Sequence, residues 1–433
     1  MRKTDPFVAV LIVISAIGFI VILSLPRGDG GGASGSPPRE PERDTSSSPT
    51  RPRPPTGRLA LPTDPASALR ELQQADDPAP AATELRARGL ASKDFLRALI
   101  AKMDDTAADR VLRDRLALIL GSIADPEVEQ ALRLALARGG KPDRIATLLL
   151  ALGMGKTLED PFGEDRDAPY VISHASGLKV FVFQAIADDL LVDEIGGHLS
   201  HESDAVRRAA HRALQGTLLF EADRRELADE PAMRGVRTQF LERLRGEPVE
   251  GLRAAFAQSL AEWASRSGHS KEKQETLGRL VESALEGEAT TVRLRTAAGL
   301  SNSDLGEPLR RRLNEAVRQG SFDTRTWAMG VLSAQVPRMS APELDAYRGA
   351  LLDGLKDPEA KVREHAMRSM ARVPGSEPLV VQAMSDEAWN VRVAAAQALK
   401  GTASRESRQA LERLRDHDSD ERVRKAAAET LGR

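Results

Sequence analysis

The stretch that decides the fold is DSDERVRKAAAETLG, residues 418–432, because the same pattern occurs twice earlier in the chain. Residues 386–401 read DEAWNVRVAAAQALKG, and residues 357–370 read DPEAKVREHAMRSM. Each copy begins with an aspartate, has Val-Arg five and six residues later, and continues through small residues to leucine or methionine. We interpret the three copies as one helix repeated along the chain, which predicts an array of stacked helices.

The spacing of apolar residues within each copy is helical. With Val423 as the first position, Ala427, Thr430 and Leu431 follow after four, seven and eight residues, which places all four on one helix face. The aspartate before each helix is a candidate N-cap. An acid at each turn and an arginine at each helix start also suggest ion pairs between neighbouring repeats. The candidate ladder residues are Asp357, Arg363, Asp386, Arg392, Asp418 and Arg424.

These residues resemble the HEAT repeats, in particular the short bacterial type that is also called the PBS-lyase HEAT-like repeat. In that family the aspartate and arginine at these positions form a ladder of ion pairs, so the resemblance implies the same ladder here. It also implies a solenoid of helical pairs. The resemblance covers most of the chain from about residue 66.

The same spacing, which we call the helical frame, recurs earlier in the chain. The valine position recurs ten times with a mean period of about 35 residues, which lies in the range of helical-pair solenoids. Eight residues after each of these positions stands Leu, Ile or Met. We therefore predict an all-α fold, an α-solenoid of about ten HEAT-like helical pairs over residues 66–433. The ten positions are Leu112, Arg144, Leu178, Val206, Leu252, Val292, Thr324, Val362, Val391 and Val423.

The N-terminal region differs from the repeats in composition. After a short tail, residues 1–6, residues 7–25 form an uncharged apolar run of nineteen residues, close to the ~20 residues that span a bilayer. We predict a single transmembrane anchor with a cleaved signal peptide as the alternative. Arg2 and Lys3 favour a cytoplasmic N-terminus and an extracytoplasmic repeat domain. Residues 26–65 contain ten prolines and predict a disordered linker.

Composition excludes several classes of function. The chain has no cysteine, which excludes disulfides, cysteine nucleophiles and thiolate metal sites. The net charge of −2 provides no global field for nucleic acid, and residues 66–433 carry a net charge of −4, the wrong sign for phosphate binding, so no nucleic-acid partner is predicted. Aromatic residues make up 3% of the chain, which fits helices packed through small side chains better than a β-rich core.

Two stretches resemble ligand-binding motifs, but both are incomplete. The run GMGKT at Gly153–Thr157 resembles the end of a phosphate-binding loop, yet Leu150 stands where that loop needs glycine. Residues 155–177 have no apolar residues at helical spacing, which predicts a long acidic loop. The acids of this loop do not have the spacing of a calcium site. Those acids are Glu159, Asp160, Glu164, Asp165 and Asp167.

The densest histidine cluster consists of Glu194, His198, His201, Glu202 and His211. His198 and His201 are three residues apart, as metal ligands on one helix face are. Deoxyhypusine hydroxylase, a HEAT-repeat enzyme, binds two irons through repeated His-Glu pairs. This chain has one such pair, so the pattern is not met. We predict no cofactor, no small-molecule substrate and no enzymatic activity, with a lyase-like or metal-dependent enzyme as the alternative.

The predicted function is therefore a membrane-tethered scaffold that binds protein partners of unknown identity. Its binding surface is expected on the concave face of the solenoid, along the central second helices that start at Val206, Leu252 and Val292. Trp327 is either a partner contact or part of the core. The candidate partner-binding residues are Arg208, His211, Arg212 and Trp389. The first three point away from the predicted core, and Trp389 lies in the turn before its helix.

Overall fold

The computed structural model describes residues 12–14, 19–21, 64–154, 162, 170–186, 188–223, 231–268, 270–286, 289–401 and 404–432. The chain divides into two compact units, Met1–Arg58 and Leu59–Arg433. In the first unit the described residues form one antiparallel pair of strands, β1 (Ile12–Ile14) and β2 (Phe19–Val21).

This strand pair corrects the transmembrane prediction for residues 7–25. Ile12 pairs with Val21 and Ile14 pairs with Phe19, so the described parts of this run are extended. The run is rich in Val and Ile, whose branched side chains favour strands over helices. Tail residues 1–6, the rest of the run and nearly all of the predicted linker 26–65 lie outside the described residues.

The predicted localisation is also wrong. We expected a single-pass membrane protein, with its N-terminus in the cytoplasm and its repeats outside. Among the residues that the structure describes, none of the helices combines the length and the apolar character needed to cross a bilayer. Hydropathy alone does not distinguish an apolar helix from apolar strands, because both are continuous runs of the same residue types.

The second unit is mainly helical, and its described residues form twenty α-helices arranged in ten pairs. The first helices of the pairs are α1 (Pro65–Gln74), α3 (Lys93–Asp104), α5 (Pro126–Ala137), α7 (Asp189–Gly197), α9 (Pro231–Gly246), α11 (Lys271–Leu285), α13 (Gly306–Gln319), α15 (Ala341–Gly354), α17 (Glu377–Ala383) and α19 (Arg405–His417). The second helices are α2 (Ala79–Ala91), α4 (Arg110–Gly121), α6 (Pro142–Leu152), α8 (Asp204–Asp223), α10 (Glu250–Arg266), α12 (Thr290–Asn302), α14 (Phe322–Gln335), α16 (Ala360–Met370), α18 (Trp389–Ala398) and α20 (Glu421–Thr430).

The second helices form one continuous layer, in which each packs against the next from α2 to α20. Glycine makes the closest crossings possible. A Cβ atom on Gly153 would lie 2.5 Å from Cα of Ala213, and one on Gly299 would lie 2.6 Å from the Ala261 carbonyl oxygen. Such distances are too short for non-bonded atoms, so only glycine allows the helices to approach this closely.

The predicted helical frame is correct at nine of its ten positions, and the exception is Leu178. This residue lies between two short antiparallel strands, β3 (Val171–Ser173) and β4 (Lys179–Phe181). Leu178, Val180 and Val182 are buried, which is the period-two pattern of a strand. The tenth helical pair is instead α1 and α2, which the frame did not include.

The β3–β4 hairpin lies across the layer of second helices. At its turn, Arg115 of α4 donates a hydrogen bond of 2.8 Å from Nε to the Ser176 carbonyl. After β4, the Ile186 backbone N–H donates to Thr217 Oγ1 of α8 at 3.0 Å. Of the predicted loop 155–177, residues 171–177 belong to this hairpin, and residues 155–161 and 163–169 lie outside the described residues.

Candidate functional site

The predicted ladder residues are brought together at the starts of the second helices. Arg392 donates from Nε and Nη2 to the two carboxylate oxygens of Asp418, at 2.8 and 2.9 Å. Its Nη1 donates to the backbone carbonyls of Asp386 and Glu387, at 2.8 and 3.0 Å. Both side chains of the ion pair are largely buried, with 12% and 6% exposed. One guanidinium thus links the turn of its own repeat to the turn of the next.

The same arrangement recurs one repeat earlier. Arg363 binds both carboxylate oxygens of Asp386 at 3.0 Å, and its Nη1 donates to the carbonyls of Asp357 and Pro358 at 2.9 and 3.1 Å. Arg325 of α14 in turn binds Asp357. The three ion pairs are consecutive, so the ladder spans the repeats from α14 to α20.

The charges in the ladder stabilise one another. The hydrogen bond from Arg392 lowers the pKa of Asp418, against the opposing effect of burial. The hydrogen bond to Asp386 raises the pKa of Arg363. Because the folded-state pKa of Asp418 is depressed, its contribution to stability is present above its unfolded pKa and is lost as the pH falls through the folded value.

We expect Arg392→Ala to lower the free energy of unfolding by about 1–3 kcal/mol, because it leaves the largely buried Asp418 without its partner. Arg413→Ala is the matched control, since Arg413 is exposed on the neighbouring helix α19. Urea unfolding of both variants measures the difference. Equal unfolding midpoints for the two variants and the parent chain would show that the Arg392 contacts do not contribute to stability.

A fourth ion pair of this kind was not predicted. Arg207 of α8 binds both carboxylate oxygens of Glu247, at 2.8 and 2.9 Å, and its Nη1 donates to the carbonyls of His201 and Glu202. Burial raises the pKa of Glu247, but hydrogen bonds, first of all from Arg207, outweigh burial and lower it overall. Glu247 stands six residues before Arg253 and accepts from the Val249 backbone N–H, as the ladder aspartates accept from the residue two positions on. The pair is thus a rung of the same kind with glutamate in place of aspartate, which the aspartate pattern did not include.

The placement of His211 corrects its assignment to a partner-binding surface. Its side chain is 2% exposed, stacks on Phe240 at 5.0 Å and meets Phe256 edge-on at 4.8 Å between ring centroids. Its Nε2 lies 3.1 Å from Ser259 Oγ. Burial lowers the pKa of His211 to about 3, so the ring is neutral. Helices α9 and α10 both cover the face of α8 that we expected to be free.

The other histidines of the predicted cluster do not form a metal site. The rings of His198 and His201 are 6.3 Å apart, and Glu194 is bound to Arg133 at 2.6 Å. Within the described parts of the chain, no group of three or more His, Asp or Glu side chains is arranged to hold a metal ion. The acidic residues between 159 and 167 lie outside those parts.

The GMGKT run is also explained by packing. Gly153 ends helix α6 and forms the close crossing with Ala213 of α8. Residues 155–157 of the run lie outside the described residues. The described part of the run therefore has a structural role in the contact between two second helices.

Arg208 and Arg212 lie in a cleft of about 650 Å³ between the β3–β4 hairpin and helices α4, α6 and α8. The two acids of the cleft have partners, since Asp114 binds Arg144 at 3.0 Å and Asp143 binds Arg110 at 2.6 Å. We call this space the hairpin cleft. Its lining includes Ala205 and Ala209 of α8, Val171, Ile172 and His174 of the hairpin, and the charged residues named above.

The arginines of the hairpin cleft are weakly paired. Arg208 lies 3.4 Å from Asp204, and both side chains are about half exposed at 47% and 54%. Half-buried Arg212 donates to the Gln215 amide oxygen at 3.2 Å. Burial lowers the pKa of Arg212, and nearby Arg295 lowers it further. The positive charge of Arg212 is thus partly desolvated, and among the described residues no carboxylate forms an ion pair with it.

Trp389 does not share a site with these arginines. It lies at the start of α18, and four second helices, α10 to α16, separate α18 from α8 in the layer. Its ring is 39% exposed, and the Arg422 guanidinium lies over it at 3.4 Å from the ring centroid. Trp327 is half-buried and packs against the core, with its indole N–H donating to the Arg293 carbonyl at 3.0 Å.

Comparison with known proteins agrees with this architecture. Residues 349–432 match the family of HEAT repeats, the region of the three clearest copies. No curated protein matches the chain in sequence.

Among solved structures, similar folds include Kap121p, with a TM-score of 0.52 and 15% identity over 85% of this chain and 45% of that one. Kap121p bound to RanGTP has a TM-score of 0.51 and 13% identity over 85% and 44%. The karyopherin Kap121p bound to the extreme C-terminus of the phosphatase Cdc14p has a TM-score of 0.52 and 15% identity over 85% and 45%. The chain spans less than half the length of these proteins. At this identity the likeness establishes the fold, a solenoid of helical pairs with HEAT repeats at residues 349–432.

Proposed function

We propose that this chain is a scaffold that binds protein partners on the exposed face of its second helices, and that an acidic segment of a partner enters the hairpin cleft. The observation that carries the proposal is the pair Arg208 and Arg212, which stand one helical turn apart on α8 without a strong carboxylate partner. Proteins of similar fold support the class of function, since Kap121p is found bound to RanGTP and to the C-terminus of Cdc14p.

The electrostatics of the cleft favour a carboxylate ligand. Arg212 is partly removed from water and repelled by Arg295. A carboxylate from a partner would relieve both effects. Arginine binds carboxylates in a bidentate manner, and such charge-assisted hydrogen bonds are stronger than neutral ones. Two arginines on one face can therefore bind two acidic side chains of one segment.

The walls of the cleft favour an extended segment over a bulky surface. Ala205 and Ala209 line the cleft with small side chains, and Val171 and Ile172 line it with apolar ones. If two acidic side chains of the partner segment bind Arg208 and Arg212, the partner residues between those two acids would lie over Ala205 and Ala209. The partner segment that fits best is thus acidic, with small or aliphatic residues between its acids.

The test is a charge reversal with a matched control. Arg208→Glu combined with Arg212→Glu is expected to weaken binding of a partner, identified by crosslinking, by about tenfold or more. The control pair, Lys271→Glu with Arg279→Glu, makes the same charge change on α11. It should leave the dissociation constant within about twofold, because rim charges far from the contact contribute little.

Isothermal titration with the purified partner measures both variants, and far-UV circular dichroism checks that the helical content is unchanged. Normal binding by the α8 variant together with loss of binding by the α11 variant would place the partner on the first helices and refute the proposal.

A further inference from the structure

We propose that the acidic segment of the partner continues from the hairpin cleft across the second helices, where Arg295 binds a third acidic residue and Leu294 and Trp327 contact a large apolar side chain. This inference rests on the proposed function, because it places the first two acids of the segment at Arg208 and Arg212. It adds the length of the partner segment and the order of its residues.

The exposed faces of α8, α10 and α12 follow one another in the layer of second helices, since α10 packs against both of its neighbours. On each helix the residues that are not buried recur every three or four positions and form one stripe. A segment that leaves the hairpin cleft along this layer therefore meets the stripe of α10 and then that of α12. The stripe of α10 includes Gly251, Ala255, Gln258 and Glu262, and that of α12 includes Thr291, Leu294, Arg295, Ala298 and Asn302.

Arg295 carries the next positive charge on this path. Its side chain is exposed, and its Nη1 donates to the Gln258 amide oxygen at 3.0 Å. Among the described residues no carboxylate forms an ion pair with it, so its charge is not neutralised by this contact. The charge of Arg295 lowers the pKa of Arg212, which shows that the two guanidinium groups interact across α10. An acidic segment that passes between them is attracted by both.

Beside Arg295, α12 presents an apolar side chain to water. Leu294 is 72% exposed, the highest value among the large apolar side chains that the structure describes. The half-buried Trp327 of α14 lies against the same part of α12, because its indole N–H donates to the carbonyl of Arg293, the residue before Leu294. Tryptophan and arginine are the residue types that contribute most to protein interfaces. The junction of α12 and α14 thus combines an apolar contact surface with a neighbouring charge.

Small residues leave room for a chain between these contacts. Ala255 on α10, Ala298 on α12 and Gly330 on α14 are not buried. A Cβ atom built on Gly330 would have no atom within 4 Å, so the surface is open there. An extended backbone can therefore approach the helices closely and bring its side chains to the arginines and to the apolar surface.

The spacing of the helices sets the spacing of the partner residues. Adjacent helices pack about 8–10 Å apart, which puts α12 about 16–20 Å from α8. An extended chain advances about 3.3 Å per residue, so the third acid follows the first two by about five or six residues. The apolar surface lies between α12 and α14, so the apolar residue follows the third acid by about one or two residues.

Titration of a fluorescent synthetic peptide into the full chain, followed by fluorescence anisotropy, tests the proposal. The peptide carries two glutamates at alternating positions, a third glutamate about six residues later and a phenylalanine about two residues after that, on an alanine–serine background. Leu294→Ala should raise the Kd of this peptide by about fivefold, since it removes the apolar contact. Arg295→Gln should raise the Kd by about threefold, as loss of an exposed ion pair does.

Two altered peptides assign each loss to its contact. Leu294→Ala should not affect a peptide in which alanine replaces the phenylalanine, and Arg295→Gln should not affect a peptide in which glutamine replaces the third glutamate. Leu190→Ala is the matched control, since Leu190 of α7 is 68% exposed, and it should leave the Kd unchanged. All three positions are exposed, so the fold should remain intact, which far-UV circular dichroism checks.

The outcomes separate this inference from the proposed function. Peptide binding that is weakened by charge reversal of the two α8 arginines, but not by Leu294→Ala or Arg295→Gln, overturns the extended site and leaves the hairpin cleft as the binding site. Equal losses with and without the phenylalanine also overturn the inference, because Leu294 would then not contact that side chain. A peptide that does not bind the parent chain overturns both the inference and the proposed function.

Discussion

Replacing Glu247 with alanine is expected to lower the free energy of unfolding by about 3–5 kcal/mol, the cost of breaking a buried ion pair on one side. The Glu247 side chain is fully buried and binds Arg207, whose own side chain is 7% exposed. Arg243 also donates to it, at 3.1 Å. Without the carboxylate, the Arg207 guanidinium stays in the interior with only backbone carbonyls around it. Urea unfolding followed by circular dichroism measures the loss.

The stability lost in Glu247→Ala should become smaller as the pH falls. The folded-state pKa of Glu247 is lowered, so its stabilising effect is present above the unfolded pKa and disappears as the pH falls through the folded value. The difference between the parent chain and Glu247→Ala should therefore shrink in acid. Glu242→Ala, on the exposed side of α9, is the control and should change stability by less than about 0.5 kcal/mol. Equal losses for the two variants would contradict the assignment of the ion pair.

The second large effect is expected from Gly153→Val, which should lower the free energy of unfolding by about 3 kcal/mol, as overpacking of a close contact does. A Cβ atom at this position would lie 2.5 Å from Cα and 2.8 Å from Cβ of Ala213. Part of this clash is with the main chain, so rotating a side chain cannot relieve it. Helices α6 and α8 would have to move apart.

Gly330→Ala is the matched control for this prediction. Gly330 lies within helix α14, and no atom lies within 4 Å of a Cβ built on it. Alanine there should stabilise the protein by about 0.4–1 kcal/mol, because it restricts the unfolded chain without a clash. Thermal unfolding of both variants provides the comparison. A Gly153 variant as stable as the parent chain would show that the α6–α8 crossing is not tightly constrained.

The part of the fold that could be predicted from sequence is the part in which each repeat carries its own signal. Arg363 and Arg392 follow their turn aspartates at a fixed spacing, and the structure places them beside Asp386 and Asp418. These contacts are set by a short local pattern repeated at a near-constant period. The same frame was wrong at Leu178, because buried residues that alternate in a strand also provide a leucine at one helical position.

The candidate site was harder to predict because it depends on contacts between distant segments. His211 has a helical spacing that points away from the stripe of Val206 and Leu214, yet Phe240 and Phe256 from the next pair cover it. Glu247 is 40 residues from Arg207 and stands six residues before Arg253, the position of the ladder acids, but it is a glutamate and the aspartate pattern did not include it. Sequence periodicity indicates which face of a helix is apolar, but not how many neighbours cover that helix.

The hairpin has a consequence for how the array unfolds. In a simple solenoid each repeat contacts only its neighbours, so stability is a sum of local terms and the ends can open separately. Here Arg115 joins the Ser176 carbonyl to the carbonyl of Leu72 in α1, and Tyr170 donates to Glu262 of α10 at 3.3 Å. Through the hairpin these bonds connect α4 with α10, which belong to repeats that are not adjacent. We therefore expect the repeats from α1 to α10 to unfold as one cooperative block and those from α12 to α20 to open more independently of one another.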